Sequence, residues 1–151
     1  MYSVVLAVHS LLRWVVLFVG LAAAGRGIAG WSGRRWTPAD TRAGLGFIIV
    51  LDLQFVVGLA LYLVLSPAMS DAMRNVGAAM RDPILRFFLV EHVLGMVLAI
   101  ACAHIGRVKI RKAGDDRRRQ RLAAVFYSVA MILILLSIPW PGMPAGRPLW
   151  P

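Results

Sequence analysis

The stretch Ile84-Leu-Arg86-Phe-Phe-Leu-Val-Glu91-His92-Val-Leu-Gly95-Met96 sets a carboxylic acid beside an imidazole inside an apolar run that continues to Gly106. The run is long enough to cross a bilayer as a helix. A charged group at the centre of such a helix costs roughly 2.5–3.5 kcal/mol on insertion scales, so each one is a functional candidate. What Glu91 and His92 face decides how the rest of the chain is read.

Three more apolar runs of similar length surround this one. They raise the hydrophobic share to 60% and the mean hydropathy to +0.74, where a soluble domain is closer to half apolar. Spans are expected over residues 3–24, 43–65, 83–106 and 122–138. At about 1.5 Å per residue, ~20 residues match a hydrocarbon layer of ~30 Å. Asp82 suits an N-cap and Pro83 the first helical position of the third span. The expected fold is therefore all-α, an integral membrane up-down four-helix bundle in a single domain over residues 1–151. The first run has small residues after it, Leu21-Ala22-Ala23-Ala24, as a signal peptide would. It lacks a basic leader, however, and His9 and Arg13 interrupt it, so it reads as an uncleaved span.

Lysine and arginine number 17 against 7 acidic residues, a net charge of +10. The basic residues gather between spans. Arg26, Arg34, Arg35 and Arg42 lie in or beside the first connection, and Arg107, Lys109, Arg111, Lys112, Arg117, Arg118, Arg119 and Arg121 around the third. That pattern encodes topology, not a nucleic-acid footprint, and no nucleic-acid partner is expected. The positive-inside rule places both connections in the cytoplasm of a bacterial inner membrane, with both termini outside. Trp31, Trp36, Trp140 and Trp150 fall near span ends, as an aromatic belt does. The lone cysteine, Cys102, lies within a span and offers neither a disulfide nor a thiolate cluster.

Outside the spans, Ser66-Pro67 starts a short amphipathic helix with Met69, Met73, Val76 and Met80 at helical spacing. The stripe suits packing, and alternatively capture of a soft metal such as copper. The tail, residues 139–151, holds five of the eight prolines, cannot be helical throughout, and is expected to fold over the outer face.

Counting residues sets the depth of the polar groups. His9 lies about six residues into the first span and His92 about nine into the third, both from the outer side. The two imidazoles then share a layer ~9–14 Å below the boundary. Arg13 is one turn deeper than His9 on the same face. Asp52 and Gln54 sit near the middle of the second span, and His104 is twelve residues, or about 18 Å, beyond His92. In a bundle with short connections, spans 1 and 3 are diagonal, so His9 and His92 can ligate one iron from opposite faces of a single haem. Equally, they can be a hydrogen-bonded structural pair. In the haem reading Nε2 binds the metal while Nδ1 donates to a carbonyl or hydroxyl, with Ser10 or Ser128 as candidates. Arg13 and Arg86 hold the propionates, and Glu91 or Asp52 exchanges a proton. In the bland reading Arg13 neutralises Asp52 or Glu91, Asp52 for preference. Gly20, Gly58, Gly95 and Ala99 give close approach or space beside a macrocycle. His104 is expected near the cytoplasmic headgroups, and Met96 in packing.

His9-Ser10-Leu-Leu-Arg13-Trp14, Arg86-Phe-x-x-x-Glu91-His92, Gly106-Arg107, Ile138-Pro139-Trp140-Pro141 and Gly146-Arg147-Pro148 resemble a group of small four-span bacterial membrane proteins labelled cytochrome b-like. The resemblance covers nearly the whole chain. It implies haem b, carried onto His9 and His92 alone. Two-haem cytochromes b need four histidine ligands, and this chain departs from them. Three functions follow as expectations. The first is a single-haem electron carrier exchanging electrons with membrane quinol. The second is a haem-free accessory subunit of a larger respiratory or other bioenergetic complex. The third is a small transporter or metal-handling protein using the methionine loop and His9.

Overall fold

Residues 1–149 are described by a computed structural model; Trp150, expected in the aromatic belt, and Pro151 lie outside the described residues. Helix α1 covers Tyr2–Ala29. Helix α2 covers Pro38–Ala60 and widens into a π turn at Leu61–Leu65. Two short helices follow, α3 (Pro67–Arg74) and α4 (Val76–Ala79). Helix α5 (Pro83–Arg86) leads through a second π turn, Phe87–Glu91, into α6 (His92–Lys112), and α7 runs over Asp116–Ser137. The fold is all-α. Four continuous helical segments, Tyr2–Ala29, Pro38–Leu65, Pro83–Lys112 and Asp116–Ser137, are long and apolar enough to cross a membrane, so the chain is a multi-pass membrane protein.

The helices outrun the expected spans at the ends that carry arginine and lysine. Hydropathy falls at the first charge, but these side chains are good helix formers and carry the helix into the headgroup layer. Asp82 caps α5 as expected, accepting from the backbone N–H groups of Ile84 and Leu85. The start of α2 was hidden from hydropathy. Thr37 and Asp40 form a reciprocal capping box with Pro38 at the first position, five residues before the expected span start at residue 43.

In the bundle α1 packs on α2 and α7, α6 packs on α7, and α2 touches α6 more lightly. Helices α1 and α6 therefore stand diagonal, as the short connections implied. Lipid gives little hydrophobic drive between helices, so close fit must hold them. Gly27 supplies it where α1 crosses α7: a Cβ there would run into the backbone of Ala123 and Ala124. Phe47 and Tyr127 meet edge-to-face at 5.6 Å in the centre, with Val16, Leu51 and Ile134 around them.

The end that carries the connections at residues 30–37 and 113–115, here the basic end, is locked by charge. Asp40, with a side chain only 1% exposed, takes Arg26 and Arg34 at 2.8 Å each. Its hydrogen bond raises the pKa of Arg34. The fully buried Gln120 of α7 closes the cluster, its amide nitrogen donating to the Arg26 carbonyl at 3.3 Å and its oxygen accepting from Arg34 at 3.1 Å.

The opposite end, here the tail end, holds both π turns, joined by the Tyr62 hydroxyl donating to the Leu89 carbonyl at 2.9 Å. The expected outer helix exists but breaks at Asn75 into α3 and α4. Asn75 accepts from the Ala78 N–H and starts a new turn. The break disperses the methionine stripe: Met69 is buried, while Met73 and Met80 stay 37% and 41% exposed. The tail folds back as expected. Gly142 takes a positive φ of 92°, and the Arg147 N–H bonds the Pro139 carbonyl at 3.0 Å.

Candidate functional site

A cavity of ≈ 300 Å³ lies between α1, α2, α6 and α7 toward the tail end. That is the lower end of the range for cofactor and small-molecule sites. Its wall is mostly apolar, from Leu6, Leu51, Phe55, Met96, Ile134 and neighbours. The polar lining includes His9, Arg13, Gln54, Tyr62, His92 and Arg147.

His9 and His92 face each other across the diagonal, ring centres 6.4 Å apart and planes at 72°. Each ring is oriented by a partner. His92 Nδ1 donates to the Ser137 carbonyl at 2.7 Å, which leaves the lone pair on Nε2. The expected kind of support is present, but it comes from the backbone of α7 and not from Ser10 or Ser128. Gly95 makes room for it, since a Cβ there would strike the Ser137 side chain. His9 Nε2 lies 3.2 Å from the Gln54 amide nitrogen, which also donates to the His9 carbonyl at 3.1 Å. An NH₂ group can only donate, so His9 also carries its lone pair on Nε2. Both imidazoles are thus in the tautomer that ligates through Nε2. With metal–nitrogen bonds of about 2 Å and ring centres ~1 Å further back, imidazoles bracketing one ion stand ~6 Å apart.

The second π turn shapes the surroundings of His92. In a regular helix only residues three and four positions away share a face. Here both Phe88 and Phe87, the latter five positions back, lie within 6.1–6.2 Å of the His92 ring. Arg147 stacks over Phe88 at 5.3 Å. On the other wall, the Arg13 Nη2 donates to the Leu149 carbonyl at 2.8 Å, and Trp14 Nε1 donates to the same oxygen at 3.2 Å. Two guanidinium groups, Arg13 and Arg147, therefore stand in the lining, and the tail is tied across it.

Four buried side-chain nitrogen or oxygen atoms have no hydrogen-bond partner among the described residues. Three belong to this wall: His9 Nδ1, Arg13 Nε and Gln54 Oε1. Each unmet buried group costs about 1–3 kcal/mol, and three of the four line this one cavity. The donor set, two imidazoles with ring centres 6.4 Å apart and two guanidiniums in the lining, is chemically compatible with a metal macrocycle bearing acidic side arms, with the His9 Nε2 lone pair engaged by the Gln54 amide in this structure.

The other expected site residues lie elsewhere. Arg86 and Glu91 pair with each other at 2.8 Å, both nearly half exposed and outside the cavity. Arg147, which the count of spans did not single out as a site residue, occupies the cavity margin instead. Asp52 pairs with His104 at 2.9 Å and not with Arg13. Two residues separate Asp52 from Gln54, a turn of about 200° that sends Gln54 into the bundle and Asp52 to its outside. Among the described residues no carboxylate lines the cavity. Of the four small residues expected to give space, only Gly58 lines the cavity, seating the His9 ring. Gly20 faces Met131 and Phe47, and Ala99 is fully buried outside the lining. Met69 and Met96 line the cavity as packing residues. No group of three or more His, Cys, Asp and Glu able to hold a metal occurs among the described residues. No family model, no curated protein and no solved structure matches the chain.

Proposed function

We propose that the chain is a membrane b-type haem protein that holds one haem between Nε2 of His9 and Nε2 of His92. The opposed imidazoles carry this reading: both are in the ligating tautomer, and they are spaced as two ligands of one ion are. Ser137 and Gly95 fix His92. Gly58 seats His9, and His9 Nε2, now met by the Gln54 amide, would be the atom that holds the metal. Arg13 and Arg147 meet the propionates, replacing the expected pair Arg13 and Arg86. Bound haem supplies one-electron redox chemistry, and this chain supplies axial ligands, low polarity and shielding from water. The tail, held by Arg13 and Trp14, covers the site. Membrane quinol is the proposed electron donor. By the positive-inside rule the basic end is cytoplasmic, and the haem lies toward the outer face of a bacterial inner membrane.

The protein purified from haem-replete membranes is expected to show a b-type band in its reduced-minus-oxidised spectrum. His9→Ala and His92→Ala should each reduce it at least tenfold without loss of helix content. A colourless protein that co-purifies with other respiratory subunits would replace this reading with that of an accessory subunit.

A further inference from the structure

The pair of Asp52 and His104 is placed where a single copy of the chain gives it half a solution. Its groups lie on the outside of α2 and α6, with side chains 45% and 47% exposed. Asp52 is ten residues past Arg42, about 15 Å further along the span. Ionisable groups at such depth almost always face a bundle interior, an aqueous cavity or another polar group. Here they face outward among Ile49, Val56 and Ile105, all about half exposed or more.

The pair is internally matched on one side only. His104 Nε2 meets Asp52 Oδ1 at 2.9 Å. With His104 protonated the pair is neutral overall, and it leaves one donor, the His104 Nδ1–H, and one acceptor, Asp52 Oδ2, for further partners. A donor and an acceptor side by side on one surface are self-complementary under a two-fold rotation, which sets each donor against the other copy's acceptor. We propose that two copies of this chain pair along the α2–α6 face, the Asp52–His104 pairs closing a ring of four hydrogen-bonded groups across a two-fold axis. The light contact between α2 and α6 leaves this face the least filled side of the bundle. The dimer is independent of whether the cavity holds haem.

Cysteine cross-linking in native membranes tests it. In a Cys102→Ser background, Val56→Cys, one turn from Asp52, is treated with a short bismaleimide. Phe18→Cys, on the exposed face of α1, is the control. A product at twice the 16.5 kDa chain mass is expected from position 56 and not from position 18. Asp52→His opposes two imidazoles on each copy and should lower this product at least tenfold. The exchanged variant, Asp52→His with His104→Asp, should restore it. No product at position 56, a product joining a different protein, or an exchanged variant that keeps its helix content but stays monomeric would each overturn the proposal.

Discussion

A methyl group at position 58 would stand 2.9 Å from Cε1 of His9, closer than two carbon atoms sit at rest, so the imidazole must move. Alanine is otherwise the better helix residue by about 1 kcal/mol. Gly58→Ala therefore separates the site from the scaffold. Its unfolding midpoint in a denaturing-detergent titration is expected to match or exceed the parent's, while haem retention falls at least fivefold. Full pigment in the variant would show that His9 has freedom the packing does not suggest. At this scale the shared layer of His9 and His92 was legible, because depth follows from counting at a fixed rise. Direction around the helix was not. Lipid-facing and core-facing sides are both apolar here, so nothing in the sequence marks which way Asp52 or Arg86 points. The Arg13 partner expected for Asp52 was wrong for that reason, and Arg86 pairs with Glu91 outside the cavity. Arg147 escaped notice because its route to the cavity depends on a non-helical tail.

Among the elements, α2 depends most on one residue outside the cavity. Asp40 closes the capping box with Thr37 and receives Arg26 and Arg34 from the preceding helix and connection. Asp40→Ala removes the N3 half of the capping box, the bond from the Thr37 N–H, worth about 0.5–1.5 kcal/mol, and leaves two guanidiniums without their carboxylate. Both are more than a third exposed, so water and headgroups recover most of the lost pairing. A net loss of about 2 kcal/mol is expected in the same detergent titration, with Asp40→Asn in between. A loss below about 0.5 kcal/mol would mean that packing by Gln120 holds this corner without the carboxylate. The helices themselves were legible from apolar runs of the right length, and the cap of α5 from Asp82-Pro83. The widened turns were not. A π turn has no composition of its own, and Leu61–Leu65 and Phe87–Glu91 read as ordinary span until backbone geometry is known.

For the whole molecule, four crossings return the chain to the end where it started, and the basic residues concentrate at the other end. Alkaline phosphatase fused after Leu149 is expected to be active, and fused at Gly114 inactive. The reverse result would put the cavity on the cytoplasmic side. The same two ends differ in how they are built. Below the π turns, the helices are phased by tight contacts such as Gly27 against α7. Above them, α3 and α5 supply Ala68, Met69, Ile84 and Leu85 to the rim of the cavity. Each wide turn holds one residue more than an α turn, and losing it would swing everything beyond through about 100°. The turns therefore work like a vernier at the rim of the cavity, letting α3 and α5 be set to their own angle while His9, Gln54 and His92 stay indexed to the bundle.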